Sequence, residues 1–292
     1  MTFAHASTTT LDEAFERLSA AGFELPNGFV NHGPMACEAL DALGYDQEVD
    51  EWARRFAHAG GTPIESAAPS GWIWWEALGD RRRLPEWVGL MERAIDDQGW
   101  EATVGRWVPR LVPAASTALF HAAIRTGHAV RALATSDTAP RRAELARALG
   151  YWAARYQPGA EAAHSREMAP ADARLALVDA AADAARRYLV RPGIVELHGI
   201  TGAMGMELLV PYLSAEAAGA AVAQIRAEHA RLYGSLAPVE DPELIGIDSI
   251  DLVEAAVRSH DPHQVKLVEA CLRGADLTDD PAFLAAAEVV TG

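Results

Sequence analysis

Residues 259–274, SHDPHQVKLVEACLRG, carry the clearest helix signals in this sequence of 292 residues. Asp261 suits the N-cap, where its side-chain oxygen can accept a free backbone N–H, and Pro262 suits the first helical position. Gly274 predicts the C-terminal end of the helix. Apolar residues recur at spacings of three and four between these two ends, so the stretch predicts an amphipathic helix.

The same apolar spacing continues through most of the chain, together with alanine, leucine, arginine and glutamate, which favour helices. Strand signals are scarce. A second helix is predicted to begin at Pro34 and to end before Gly44, with the same proline start and glycine end as residues 259–274. Further helices are predicted at residues 84–97, 114–134, 140–156, 170–189, 215–233 and 248–258.

Residues 60–79 are rich in glycine, proline and serine and contain Trp72, Trp74 and Trp75, which predicts a loop with an aromatic anchor. No repeat of about 20 to 50 residues and no low-complexity linker interrupts the helical pattern. The sequence therefore predicts an all-α protein with one multi-helix domain over residues 1–292. Residues 1–10 are expected to form a flexible tail.

Charge and cysteine content narrow the possible functions. The chain has 25 lysines and arginines against 41 aspartates and glutamates, and this net charge of −16 argues against binding to nucleic acid or to anionic membranes. The sequence has neither a signal-peptide pattern nor a long apolar run, so a cytoplasmic protein is expected. Cys37 and Cys271 are the only cysteines, which leaves nitrogen and oxygen ligands for any metal.

Five of the ten histidines lie among apolar or small residues, away from charged segments. They are His32, His121, His128, His198 and His263. Imidazole nitrogen is a common metal ligand, so these five are candidate ligands of one buried ion. The alternative for each is a capping or core histidine whose hydrogen bonds are satisfied. The fold prediction thus becomes a helical domain that surrounds a buried, histidine-rich metal site.

The spacing of His121 and His128 fits shared ligation poorly. Seven residues on a helix place two side chains on one face but about 10 Å apart along the axis. Helical metal ligands are more often three or four residues apart. Both would reach one ion only with convergent side chains or a local bulge, so the sequence leaves open which histidines bind metal and which contact substrate.

Two residues beside these histidines are candidate catalytic residues. Arg125 lies between His121 and His128, where it can stabilise an anionic substrate or pair with a glutamate. Thr201 follows His198 by three residues and can orient that histidine. The remaining histidines are assigned no chemistry: His5 in the tail, His58, His164, His229 and His260.

Lys266 lies three residues after His263, hence on the same face of the predicted helix. From its spacing alone, Lys266 is predicted to be an ordinary surface lysine.

Four segments, each with at least one of these histidines, together resemble the questin oxidase family over residues 27–275. The segments are FVNHGPMACEALDALG at 29–44, FHAAIRTGHAVRAL at 120–133, ELHGITGAMGMELLVPYL at 196–213 and HDPHQVKLVEACLR at 260–273. The resemblance implies an all-helical oxygenase of secondary metabolism that oxidises an anthraquinone-type polyketide with O2 and opens a ring.

What the resemblance implies about the site is a non-haem iron held by histidines and a carboxylated lysine. On the matching positions of this sequence the ligands would be His32, His121, His128, His198, His263 and Lys266. No GxGxxG follows a strand, so no nicotinamide or flavin site is visible in the sequence. The need for a reductant such as NADPH stays open, and a homodimer is expected from base rates alone.

Two other readings are compatible with the same residues. In the first, a metal-free oxidase uses His128 or His198 as general base, with Arg125 stabilising a phenolate and a reduced nicotinamide as reductant. In the second, the chain is a non-catalytic helical binding protein whose histidines fill core hydrogen bonds. Trp72, Trp74, Trp75, Met204 and Met206 are either the lining of an apolar substrate pocket or ordinary core residues.

Overall fold

A computed structural model describes residues 9–59, 61–162, 165–240 and 242–292, and this part of the chain contains fourteen α-helices and no β-strand. A lone antiparallel bridge joins Glu24 to Val30. The all-α prediction is confirmed. Residues 1–8 of the expected tail lie outside the described residues, while α1 begins at Thr10, with the Thr9 hydroxyl accepting the Asp12 N–H.

The connections between the helices vary in length. In chain order the first eight are α1 Thr10–Ser19, α2 Gly33–Ala42, α3 Asp46–Ala59, α4 Trp74–Ala77, α5 Leu84–Gln98, α6 Trp100–Leu111, α7 His121–Thr135 and α8 Ala139–Ala154. The remaining six are α9 Pro170–Val190, α10 Ile194–Glu207, α11 Ala215–Tyr233, α12 Ser249–Ser259, α13 Pro262–Thr278 and α14 Pro281–Thr291. Single 3-10 turns occupy Arg81–Arg83, Val112–Ala114 and Val210–Tyr212.

The start of α13 agrees with the sequence, but its end does not. The Asp261 carboxylate caps the helix by accepting the His263 N–H at 2.8 Å, and Pro262 is the first helical residue. The prediction that Gly274 ends the helix is wrong, because α13 continues to Thr278. A Cβ at Gly274 would lie 2.6 Å from the Phe283 ring, so the glycine allows α14 to pack closely against α13.

Residues 114–134 do not form the single helix expected from their composition. After the 3-10 turn at Val112–Ala114, the backbone enters the left-handed region at Ala118, Leu119 and Phe120, with φ of 50°, 55° and 64°. Such angles are unfavourable for L-residues, and three in succession end one helical path and begin another. As a result, α7 starts at His121.

Four helices pack around the centre of the molecule: α2, α7, α10 and α13. In this group α2 contacts α7 and α13, and α10 contacts the same two helices. Helices α7 and α10 approach backbone to backbone, since a Cβ on Gly127 would lie 2.2 Å from the carbonyl oxygen of Gly205. Helices α8 and α9 pack on the outside of α7 and α10, respectively.

The tryptophans of residues 60–79 pack away from the four central helices. Trp72 meets Trp87 edge to face at 4.8 Å between ring centroids, and Trp74 meets Trp107 at 5.4 Å. Trp87 and Trp107 belong to α5 and α6, so the aromatic anchor holds the loop to that side of the protein.

Met204 and Met206 are fully buried within α10. Within the described residues, no helix combines the length and apolar character needed to cross a bilayer.

Candidate metal site

Four of the five candidate histidines meet at the N-terminal ends of the central helices. His32 immediately precedes α2, His121 is the first residue of α7, His198 lies in the second turn of α10, and His263 is the second residue of α13. One ring nitrogen from each lies within 4.8 Å of those of the other three. His32, His121 and His198 are buried, and the His263 side chain is 25% exposed.

Each of these rings has a hydrogen bond on the nitrogen that faces away from the group. His121 Nδ1 lies 2.5 Å from the Ala118 carbonyl oxygen, and His198 Nδ1 lies 2.6 Å from that of Ile194. The other two rings follow the same rule: His263 Nδ1 lies 3.1 Å from Asp261 Oδ1, and His32 bonds to the backbone of Val30. Because the carbonyl oxygens only accept, the Nδ1 atoms of His121 and His198 donate, and their Nε2 atoms carry free lone pairs.

The inward nitrogens have the spacing of ligands on one ion. His121 Nε2 lies 2.7 Å from His32 Nε2 and 3.0 Å from His198 Nε2. Nitrogen donors about 2.1 Å from a metal are about 3.0 Å apart at right angles and about 4.2 Å apart across it. The four histidines could therefore hold one metal ion, and hydrogen-bonded outer nitrogens are the usual arrangement of metal-binding histidines.

The electrostatics of the group favour neutral imidazoles. Burial, the Lys266 charge and the neighbouring histidines lower the pKa of His32 far below its usual 6.5. Burial and the Lys266 charge also lower the pKa of His121. The pKa of His198 is lowered by burial, by His121 and by Lys266. Metal binding requires the unprotonated ring, so these side chains are in the binding-competent state at neutral pH.

Lys266 lies beside the four histidines and not on the surface. Its side chain is fully buried, and its Nζ has no hydrogen-bond partner among the described residues. Burial lowers the pKa of Lys266 from 10.5 to about 7, with Asp261 opposing the shift. The composition, unlike the residue spacing, sets Lys266 apart. The chain has 25 lysines and arginines in total, and Lys266 is the only lysine among them.

The structure does not bring His128 into this group. Its Nδ1 pairs with the Glu38 carboxylate of α2, which Arg131 also holds through two hydrogen bonds of 2.6 and 2.7 Å. His128 and Glu38 are both buried. The seven-residue separation from His121 explains the result, because the two rings lie about two helical turns apart on α7.

The two candidate catalytic residues also have partners of their own. Arg125 donates to both carboxylate oxygens of Glu144, at 2.5 and 2.8 Å, and its guanidinium lies 4.8 Å from the centre of the Phe23 ring. Its charge is therefore neutralised inside the protein. The Thr201 hydroxyl donates to the Leu197 carbonyl at 3.2 Å within its own helix and makes no recorded bond to His198.

The remaining histidines take separate positions. His58 is exposed on α3, and His260 ends α12 with its ring 6.2 Å from that of Trp52. His229 is buried on α11, where burial lowers its pKa to about 4. His5 and His164 lie outside the described residues.

Sequence reasoning missed the role of Asp261 at the site. It identified this residue as a helix cap, and the same carboxylate also accepts from His263 Nδ1. The proximity of Asp261 to His263 in the sequence is the signal that could have revealed it, since carboxylate–histidine pairs orient metal ligands.

Comparison of the chain with protein-family models and with curated proteins finds no match.

Proposed function

We propose that this protein is a non-haem iron-dependent oxygenase of the questin oxidase type. The observation that supports the proposal is the four-histidine group, whose ligand atoms converge within 4.8 Å from four different helices. Three of these side chains are buried, and the outer nitrogens of all four are already hydrogen bonded. A helical binding protein has no need of four imidazole side chains directed at one point.

Lys266 is the proposed source of an anionic ligand. Its neutral amine nitrogen adds to the carbon of carbon dioxide, an N–C bond forms, and one N–H proton leaves, which yields a carbamate with one negative charge. Four neutral imidazoles around a divalent ion leave a charge of +2 in a buried site, which is unfavourable without a counter-charge. A carbamate on Lys266 reduces that charge and satisfies a side chain that has no hydrogen-bond partner among the described residues.

The choice of iron and of an aromatic substrate rests on the likeness to questin oxidases. Imidazole donors bind iron, zinc, copper and nickel, so the histidines alone do not select among them. Bound iron would supply an open coordination position for the activation of O2. The protein residues would hold the ion, keep its ligands in one tautomer and exclude bulk water, and an anthraquinone-type polyketide is the proposed substrate class.

The metal-free alternative has less support from the side-chain contacts. Its proposed base His128 is held by Glu38 and Arg131, and its proposed anion-stabilising group Arg125 donates to both oxygens of Glu144 through Nε and Nη2. The charge of Arg125 is therefore already paired, and Nδ1 of His128 already contacts a carboxylate. His198 retains an accessible lone pair only on the nitrogen that faces the other histidines.

Oxygen consumption tests the proposed reaction. Protein loaded with Fe(II) under anaerobic conditions would be mixed with O2 and hydroxylated anthraquinones, with and without NADPH, and the product mass followed with ¹⁸O2. We expect substrate-dependent oxygen uptake and label in the product, both lost in His198→Ala and retained in His58→Ala, an exposed histidine on α3. Uptake that survives chelation, or that persists in His198→Ala, would contradict the proposal.

A carbamate on Lys266 can be tested separately. Since Lys266 is the only lysine, ¹³C-bicarbonate can label this side chain and the N-terminal amine alone. We expect a carbamate ¹³C signal in the metal-loaded protein that is absent from Lys266→Met. A spectrum identical in the two proteins would remove Lys266 from the proposed ligand set and leave the histidine site in place.

A further inference from the structure

A chain of charged residues with buried carboxylates connects the same four helices that carry the metal-site histidines. We call it the charged network, and its members are Glu38, His128, Arg131, Arg174, Glu207, Glu269 and Arg273. The three carboxylates are almost fully buried, with exposed fractions of 3%, 0% and 4% for Glu38, Glu207 and Glu269. Three glutamates and three arginines balance in charge.

The pairings run from helix to helix. Glu38 of α2 accepts from His128 and Arg131 of α7, and Arg131 also donates to Glu269 of α13. On the other side, Arg273 of α13 donates to Glu269 at 2.9 Å. The network thus joins α2 to α7 and α7 to α13.

Glu207 extends the network to α10. It accepts from Arg273 of α13, and its other oxygen accepts from Arg174 of α9 at 2.5 and 2.7 Å. Every helix that supplies a candidate metal ligand is therefore tied to at least one of the others by a buried ion pair.

The charged network lies further along the helices than the metal-site histidines. Glu38 follows His32 by six residues, and Glu269 follows His263 by the same number, which corresponds to about 9 Å along each helix. Glu269 is also one turn after Lys266. The four histidines and the charged network are thus two layers of one bundle.

Apolar packing alone fixes the axial positions of these helices weakly. Helices α7 and α10 meet at Gly127 and Gly205, which have no side chains of their own. Charged groups with directional hydrogen bonds hold one register, and an arginine that serves two carboxylates cannot slide without losing a bond to one of them. The pKa of Glu269 is held below its usual value by Arg131 and Arg273 in spite of its burial, which indicates that the pairing is strong.

We infer that the charged network is a positioning device for the metal site: it sets the axial register of α2, α7, α10 and α13 and so determines how closely the four histidines converge. This inference rests on the proposed metal site but not on the oxygenase reaction. It assigns His128, which the likeness to questin oxidases would place among the ligands, to positioning through Glu38. Residues that orient metal ligands typically change affinity about 10- to 100-fold when they are removed.

Cobalt binding by metal-free protein tests the inference, because the Co(II) absorption spectrum reports ligand geometry and the titration gives affinity. The test variant is Glu269→Gln, which keeps the shape of the side chain and removes its charge. The matched control is Asp12→Asn, which breaks the equally buried pair of Asp12 with Arg141 at 2.8 Å. That pair joins α1 to α8, neither of which carries a candidate ligand.

Both variants are expected to lower the melting temperature, but only Glu269→Gln should weaken Co(II) binding by about 10- to 100-fold and shift the spectrum. Arg131→Lys keeps the charge and loses the planar fork, so it provides a milder variant if Glu269→Gln does not fold. It should change affinity and spectrum in the same direction.

Two results would overturn the inference. One is wild-type affinity and spectrum in Glu269→Gln or Arg131→Lys, and the other is an equal loss of affinity in Asp12→Asn, which would mean that stability alone matters. A wild-type protein that binds no Co(II) would instead contradict the metal site itself, and this is visible before any variant is compared.

Discussion

The Nε2 atoms of His121 and His198 lie 3.0 Å apart, although the Nδ1 atom of each ring donates to a main-chain carbonyl. Both Nε2 atoms therefore carry lone pairs, and neither can donate to the other while both rings are neutral. Two lone pairs at this distance repel unless a cation lies beside them. This relationship between residues 77 positions apart is the basis of the metal site and of the predictions that follow.

Replacing the buried lysine should stabilise the metal-free protein. The pKa of Lys266 is about 7 in the folded chain against 10.5 normally, and one pKa unit corresponds to about 1.4 kcal/mol. Because the folded-state pKa is lowered, stability is complete above pH 10.5 and falls as the pH decreases to 7. Lys266→Met should therefore raise the free energy of unfolding at pH 7 by about 2–4 kcal/mol, with a smaller gain at pH 9.

Denaturant unfolding of metal-free protein measures this gain, with Arg106→Met as the control for loss of an exposed cation. The control should change stability by less than about 0.5 kcal/mol. A destabilised Lys266→Met protein would mean that the amine has a partner in the folded state.

The metal-free protein should lose stability at a higher pH than the protonation of carboxylates would explain. The pKa values of His32, His121 and His198 lie below 6.5 in the folded state, so the unfolded chain binds protons first as the pH falls below 6.5. Stability should then decrease between pH 6.5 and 5, by up to about 4 kcal/mol per pH unit for three such groups. Lys266 adds no slope there, because it is protonated in both states below about pH 7.

Urea titrations at several pH values test this slope. His198→Gln removes one of the three groups and should reduce it by about one third, whereas His58→Gln, at an exposed position, should leave it unchanged. A flat profile from pH 6.5 to 5 in the wild-type protein would show that these rings are protonated or paired differently.

A methyl group at the α7–α10 crossing should disrupt the centre of the bundle. Alanine normally stabilises a helix by about 1 kcal/mol relative to glycine. At Gly127 its Cβ would lie 2.2 Å from the Gly205 carbonyl oxygen, which is backbone and cannot rotate away. Gly127→Ala should therefore lose at least about 3 kcal/mol of unfolding free energy and bind metal more weakly. A neutral or stabilising result would mean that the two helices are further apart.

The left-handed turn before His121 should be relieved by glycine. Ala118 has a φ of 50°, which costs an L-residue about 1–2 kcal/mol. Ala118→Gly removes that cost. Glycine also raises the entropy of the unfolded chain, which offsets part of the gain, so the net stabilisation should be about 0.5–1 kcal/mol. Thermal and urea unfolding would detect it, and a loss of stability would contradict the assigned backbone conformation.

Local signals explain which parts of the fold were predictable. The Asp261 and Pro262 start of α13 depends on neighbouring residues alone, and the structure contains it. The end at Gly274 was mispredicted because that glycine serves a contact with Phe283, which only the packed structure defines. The break at residues 118–120 has no glycine or proline to reveal it, since ordinary residues adopt the left-handed conformation there.

The same distinction applies to the candidate site. Apolar surroundings selected the histidines in the sequence, but their convergence depends on how four helices pack. His128 has the same surroundings as His121, but it lies about two helical turns further along α7, where the Glu38 carboxylate of α2 is its partner. The spacing of residues likewise could not predict the burial of Lys266, although the composition shows that it is the only lysine.

The most direct test of the central claim is metal analysis of the purified protein combined with anomalous scattering from its crystals. The four-histidine site predicts one equivalent of metal per chain, a single anomalous peak within bonding distance of His32, His121, His198 and His263, and loss of both in His121→Ala but not in His58→Ala. A chain that binds no metal after reconstitution, or a peak at other residues, would contradict it.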